Sequence, residues 1–137
     1  MRRFWTLLAL MFLTAATALA QDPVKVDPKH YKVEAENAQV RVLRIQYGPH
    51  EKSVMHDHPA AVGVFLTDSH VKFTFPDGKS EVRDLKAGGI RWALGEKHLP
   101  ENLGDKPFEA ILVELKAKPA AAKKPAPAKA PAKKTGQ

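Results

Sequence analysis

The stretch "HVKFTFPDGKSEVRDL", residues 70–85, decides the fold class. Its first part alternates: Val71, Phe73 and Phe75 are apolar, while Lys72 and Thr74 are polar. A half-buried strand needs that period of two, because successive side chains point to opposite faces. "SEVRDL" then returns, and Asp77-Gly78 stands between the two runs. Such a pair accepts the positive φ of a tight turn, so the stretch predicts a β-hairpin. The same texture extends outward. Upstream lie the short, β-branched "YKVEAEN" and "AQVRVLRIQY" and the apolar run "VGVFL"; downstream lie "GIRWAL" and "FEAILVEL". No window between Tyr31 and Lys116 shows a capped 3.6-residue period. Many short strands punctuated by Gly, Pro and Asp predict an all-β sandwich or small barrel without internal repeats.

The flanks read differently. With 137 residues the chain has room for one domain. Residues 1–20, "MRRFWTLLALMFLTAATALA", combine Arg2 and Arg3, an uncharged apolar stretch and Ala18-Leu19-Ala20. This is the pattern of a cleaved signal peptide, and it predicts an exported protein, periplasmic or secreted, that begins at Gln21. Residues 21–30, with Asp22-Pro23 and Asp27-Pro28, read as a leader into a domain over 31–116. Residues 117–137 are nearly all Ala, Lys and Pro, and read as a disordered basic tail that contacts anionic polymers or surfaces. The net charge of +7 belongs to these ends, because residues 21–116 hold 14 basic residues against all 15 acids. Nucleic acid is not expected as a partner, since the domain carries no motif for it. The chain has no Cys, which excludes disulfides, a thiolate metal site and a Cys nucleophile.

Chemistry is concentrated in histidine. In "SVMHDHPAAVGVFL", residues 53–66, His56 and His58 are separated by one residue. On a strand they project together, while Asp57 points away. Neutral imidazole is a common ligand of zinc, iron, nickel, copper and manganese. His98, in "GEKHLPEN" (residues 95–102), is a third candidate at the mouth of another strand.

Taken together, these two stretches resemble the paired motifs of the cupin superfamily. Gly95, His98 and Asn102 keep the spacing of the end of the second motif. Ala93 replaces its Pro, and Ala87 holds its first Gly position with Gly88 and Gly89 just behind. The first motif is kept only as His56-x-His58. Its leading Gly falls on His50 with Gly48 close by, its Glu on Val62 or Gly63, and its closing Gly on Ser69 or His70. The resemblance spans most of residues 31–116 and implies an all-β antiparallel jelly-roll barrel. It also implies a divalent metal, Fe, Ni, Zn or Mn, held in the barrel mouth by His56, His58 and His98, with water or substrate replacing the missing carboxylate. A metal-free pocket lined by the same histidines is the other reading. A homodimer follows by analogy. Two functions are open: a module that binds a metal and a small ligand, or a three-His iron dioxygenase or isomerase acting on a small molecule.

The remaining candidates are peripheral. His30, His50 and His70 read as solvated, with His50 also a candidate to back a ligand. Phe65, Phe73, Phe75 and Trp92 read as core, and Trp92 also as a wall of the pocket. Glu101 is a candidate acid/base or acceptor for an imidazole N–H, and Asn102 a candidate pocket residue.

Overall fold

A computed structural model describes residues 21–117, which carry seven antiparallel strands and one helical turn. The strands are β1 (Tyr31–Glu36), β2 (Val40–Tyr47), β3 (His56–Phe65), β4 (Ser69–Thr74), β5 (Ser80–Leu85), β6 (Ile90–Asn102) and β7 (Phe108–Leu115). They pair in the order β1-β2-β7-β3-β6-β4-β5. The expected hairpin is β4–β5, with Gly78 at φ +82° and the Lys79 amide donating to the Asp77 side chain. Residues 1–20, read above as a signal peptide, and all but the first residue of the expected tail over 117–137 lie outside the described residues.

The architecture is a jelly roll, but the expected closed barrel is open. β1 and β5 are free edges. The cause lies in β6, thirteen residues long and shared between two partners. Its first part pairs with β3, from Ile90 to His98, whereas β4 takes only Leu99–Asn102. The sheet therefore splays beside residues 90–97. Tyr31, Leu43, Tyr47, Val71 and Phe108 form the core, with Ile45, Phe73 and Leu112 packed on it. Leu43 is fully buried, which contributes roughly 1.5–3 kcal/mol.

The segment 21–30 is more than a leader. Asp22 caps the turn α1 (Pro23–Val26) by accepting from the Val24 amide at 3.0 Å, and Pro23 is buried. The Asp57 amide donates to the Gln21 carbonyl at 2.9 Å, which ties this segment to the His-x-His strand.

Within the β3–β6 ladder the inner face changes phase. His56 and His58 are buried at one end, then Ala61 and Gly63 further on. The switch falls where a constant register would pair Pro59 with Gly95, a pair missing from the ladder. Proline has no N–H to give, and Gly95 sits at φ +105°, which side-chain-bearing residues avoid. Beyond it, Val62 lies on the face opposite buried Ala61. Val62 stands between Val113 and Trp92 on neighbouring strands, and Val64 between Ile111 and Ile90. That outer stripe ends in exposed side chains: Ile90, Trp92 and Leu94. Trp92 is therefore not a core residue.

Candidate functional site

The β3–β6 ladder gathers three imidazoles. His56 pairs directly with His98 across the β3–β6 ladder, and His58 follows two residues along β3 on the same face. All three are buried, His56 completely. One ligand nitrogen from each lies within 4.8 Å of the others. The ring centroids are 4.9 Å apart for His56–His58, 5.1 Å for His56–His98 and 5.4 Å for His58–His98.

Hydrogen bonds orient two of the rings. His56 Nδ1–H donates to the Val54 carbonyl at 2.8 Å, which leaves Nε2 with a lone pair. That Nε2 is buried and has no partner. His58 Nδ1–H donates to Glu114 Oε1 at 2.7 Å. Around His98, Nδ1 is buried without a hydrogen bond, and the nearest Glu96 carboxylate oxygen stands 3.5 Å away. Burial, then the neighbouring His58 and His98, push the His56 pKa down to about 3. Burial also lowers that of His98. Both rings are therefore neutral at physiological pH, the form that carries a lone pair.

Glu114 is the residue that sequence reasoning missed. It is almost wholly buried on β7 and links the cluster to the interior. Arg41 Nε donates to its Oε2 at 2.6 Å, and Arg41 Nη1 reaches Asp22 at 2.8 Å. Burial alone would raise the carboxyl pKa, but the hydrogen bonds from His58 and Arg41 outweigh it and hold the group ionised. Counting by two from Phe108 through Ala110 and Leu112 places Glu114 on the inner face, and that was the available signal.

Tyr31 closes the floor. Its ring lies 4.8 Å from His56 and 5.6 Å from His58, and its hydroxyl meets that of Tyr47 at 2.9 Å. A cavity of about 380 Å³ opens beside the cluster. His58, His98, Tyr31, Phe73, Arg83 and Arg91 are among its walls. Gly63 lines it too, at one of the two positions where the motif would carry its Glu. A Cβ there would meet only ordinary contacts, the nearest at 3.7 Å from Leu112.

The other expected residues scatter. His50 is exposed and bonds Asp105 at 2.9 Å, remote in role from the three imidazoles. Glu101 pairs with Lys72 at 2.6 Å and touches no imidazole. Asn102 is buried as a clamp: its amide donates to the Gly48 and Lys106 carbonyls and its oxygen accepts from the Gly104 amide. Trp92 borders the cavity but stays 63% exposed. His70 is solvated as expected and pairs with Asp84. His30 is not. It is buried, stacks on Tyr47 at 4.1 Å, and sits between Asp27 at 2.7 Å and Glu51 at 3.0 Å. Ser53 donates to the same Asp27 and lies 3.4 Å from His56 Nδ1, so this network underlies the cluster.

No family model matches the chain, and no curated protein matches it. Solved structures do. A cupin domain from Bordetella pertussis Tohama I is 26% identical with a TM-score of 0.59, covering 64% of this chain and 92% of that one. A protein with a double-stranded β-helix domain from Klebsiella pneumoniae is 25% identical with a TM-score of 0.51, covering 62% of this chain and 74% of that one. Seven antiparallel strands in jelly-roll order, the His-x-His strand laid against the strand of the third histidine, and these structural matches make the chain a member of the cupin superfamily.

Proposed function

We propose that this protein is an exported cupin that holds a divalent metal between His56, His58 and His98 and takes a small organic ligand into the adjoining cavity. The observation that carries the reading is the convergence of three buried imidazoles whose ligand nitrogens lie within 4.8 Å of one another. The fit is chemical as well as spatial. A buried acceptor without a partner, such as His56 Nε2, costs about 1–3 kcal/mol, and an ion would satisfy it. Three imidazole donors without thiolate suit Zn, Fe, Ni or Mn. When bound, the ion would supply Lewis-acid or redox chemistry at the positions that protein donors leave open. The chain's own part is orientation and exclusion. Glu114 fixes the tautomer and angle of His58, Val54 does the same for His56, and Tyr31 seals the floor against water.

Metal analysis of protein purified from its native compartment without a histidine tag tests this. Stoichiometric metal, lost in His56→Ala, His58→Ala and His98→Ala and kept in His70→Ala, is the expected result. Stoichiometric metal in the His98→Ala variant would remove that residue from the site, and metal-free protein that takes up none of the four ions would end the reading.

The cavity beside the cluster also favours an enzymatic reading, a dioxygenase or isomerase of a small molecule. Oxygen uptake or product formation that vanishes in His58→Ala would establish it; a thermal shift without turnover across a metabolite panel assigns a binding module. Export, a homodimer, and contact of the Lys-rich tail with anionic polymers or surfaces complete the proposal. Intact mass of the exported chain, sedimentation, and low-salt vesicle binding test them in turn. The exposed Ile90, Trp92 and Leu94 support the dimer.

A further inference from the structure

We propose that the ligand taken into the cavity is a small organic carboxylate and that Arg91 receives its charge. This rests on reading the cavity as a ligand site and names the class of molecule it selects.

The described residues include four arginines, and three are committed. Arg41 pairs with Asp22 and Glu114, Arg44 with Glu34 and Glu109, and Arg83 with Glu81 and Glu96. Arg91 has no acidic group within ion-pair distance among the described residues, yet it lines the cavity shared with His58 and His98. Glu81 lies near enough to feel its charge, but both Glu81 oxygens are engaged by Arg83 at 3.0 Å.

Register explains where Arg91 points. It stands directly across from Gly63 on β3, and ladder partners share a face. The Gly63 face is the inner one, since a Cβ there would touch the side chains of Leu112 and Phe65. Gly63 offers no side chain of its own opposite Arg91, which lines the cavity while remaining exposed to solvent. Apolar residues such as Ile45, Phe73, Ala93 and Leu112 supply much of the wall. The other charged groups there largely cancel, because Glu96 lies 3.5 Å from Arg83, whose guanidinium is also stacked over Phe73.

An unpaired guanidinium beside an apolar cavity calls for an anion with an apolar body. One planar fork matches one carboxylate through two parallel hydrogen bonds. A phosphate dianion would leave a second charge unmet. The volume lies at the small end of ligand pockets, roughly 300–1,000 Å³.

Calorimetric titration of the full chain, stripped of metal with EDTA so that no ion can hold the carboxylate, tests the proposal. The probes are acetate, butyrate, hexanoate and benzoate, each paired with its amide. At least one carboxylate should bind tenfold or more tightly than its amide. Arg91→Gln should bring that ratio close to one, with melting temperature unchanged, and Arg91→Lys should restore it in part. Absence of carboxylate preference in the native chain, or a preference that survives in Arg91→Gln, overturns the assignment. The metal reading is judged separately. Stoichiometric metal with no carboxylate preference refutes this inference and leaves the histidine site standing; Arg91-dependent preference in a protein that never takes up metal does the reverse.

Discussion

The β3–β6 ladder has two halves that oppose one another in chemistry. At one end His56 faces His98 and His58 faces Glu96, and the histidines are buried. At the other, Val62 faces Trp92 and Val64 faces Ile90, and the large apolar side chains of β6 are 63% and 72% exposed. Histidines are inside while large apolar side chains of β6 are in the open, the reverse of what hydropathy alone dictates. Burial of three imidazoles costs solvation that only specific partners can offset, so such a cluster points to a site. Exposure of an apolar stripe costs little in a single chain and points to contact with something else. The hinge between the halves is the Pro59–Gly95 step, where the inner face changes phase.

The contrast can be broken most severely at the buried end. Replacing His56, His58 or His98 with Ala should abolish stoichiometric metal uptake, measured by elemental analysis after dialysis. Uptake that survives in all three variants would leave the buried half without a chemical purpose.

Glu114 comes next. Glu114→Ala leaves Arg41 and the His58 N–H without their buried acceptor, and should cost roughly 3–5 kcal/mol in urea unfolding. The milder Glu114→Gln should keep the fold but weaken metal affinity about 10–100-fold, the usual effect of losing a partner behind a metal-ligating imidazole. A loss below about 1 kcal/mol in the Ala variant would show that water replaces the carboxylate.

Acid should sharpen the same distinction. In the unfolded chain an imidazole binds its proton near pH 6.5, while folded His56 does so only near 3. Between those values the unfolded state holds more protons, so metal-free stability should fall as pH drops from about 6.5 toward 3 and level off above it. His98, lowered by burial, acts in the same direction. Glu114, whose folded pKa is also lowered, adds a loss at the acid end of the range. Urea midpoints across this range should give a shallower slope for His56→Gln than for the native chain; equal slopes would contradict the assignment to His56.

The smallest effects belong to the exposed end. Trp92→Ser and Ile90→Ser should change monomer stability by about 0.5 kcal/mol or less, as surface substitutions do. If the stripe is a contact between two copies, the same changes should lower the mass seen by sedimentation. A large fall in melting temperature at low protein concentration would place these side chains in packing that their exposure does not suggest.

The sequence by itself determined the strand texture, the Asp77-Gly78 hairpin, and the pairing of His56 with His58, because these depend on the two-residue period and on local turn chemistry. It also nominated His98, through a motif spacing that reflects a fixed strand register. Glu114 was legible only to a count by twos along "FEAILVEL", and it was passed over because a carboxylate in an apolar strand reads as an outward residue until its neighbours are known. His30 and Trp92 were misplaced for a similar reason. A histidine before the first strand looks solvated, yet Asp27, Glu51 and Tyr47 are folded around it; a tryptophan in a strand looks like core, yet the phase change at Gly95 accompanies its exposure. The open edge of β6 and the unpaired Arg91 belong wholly to tertiary structure. Whether a strand gains a second neighbour, and whether a charge gains a partner, is set by residues distant in sequence, which no local period encodes.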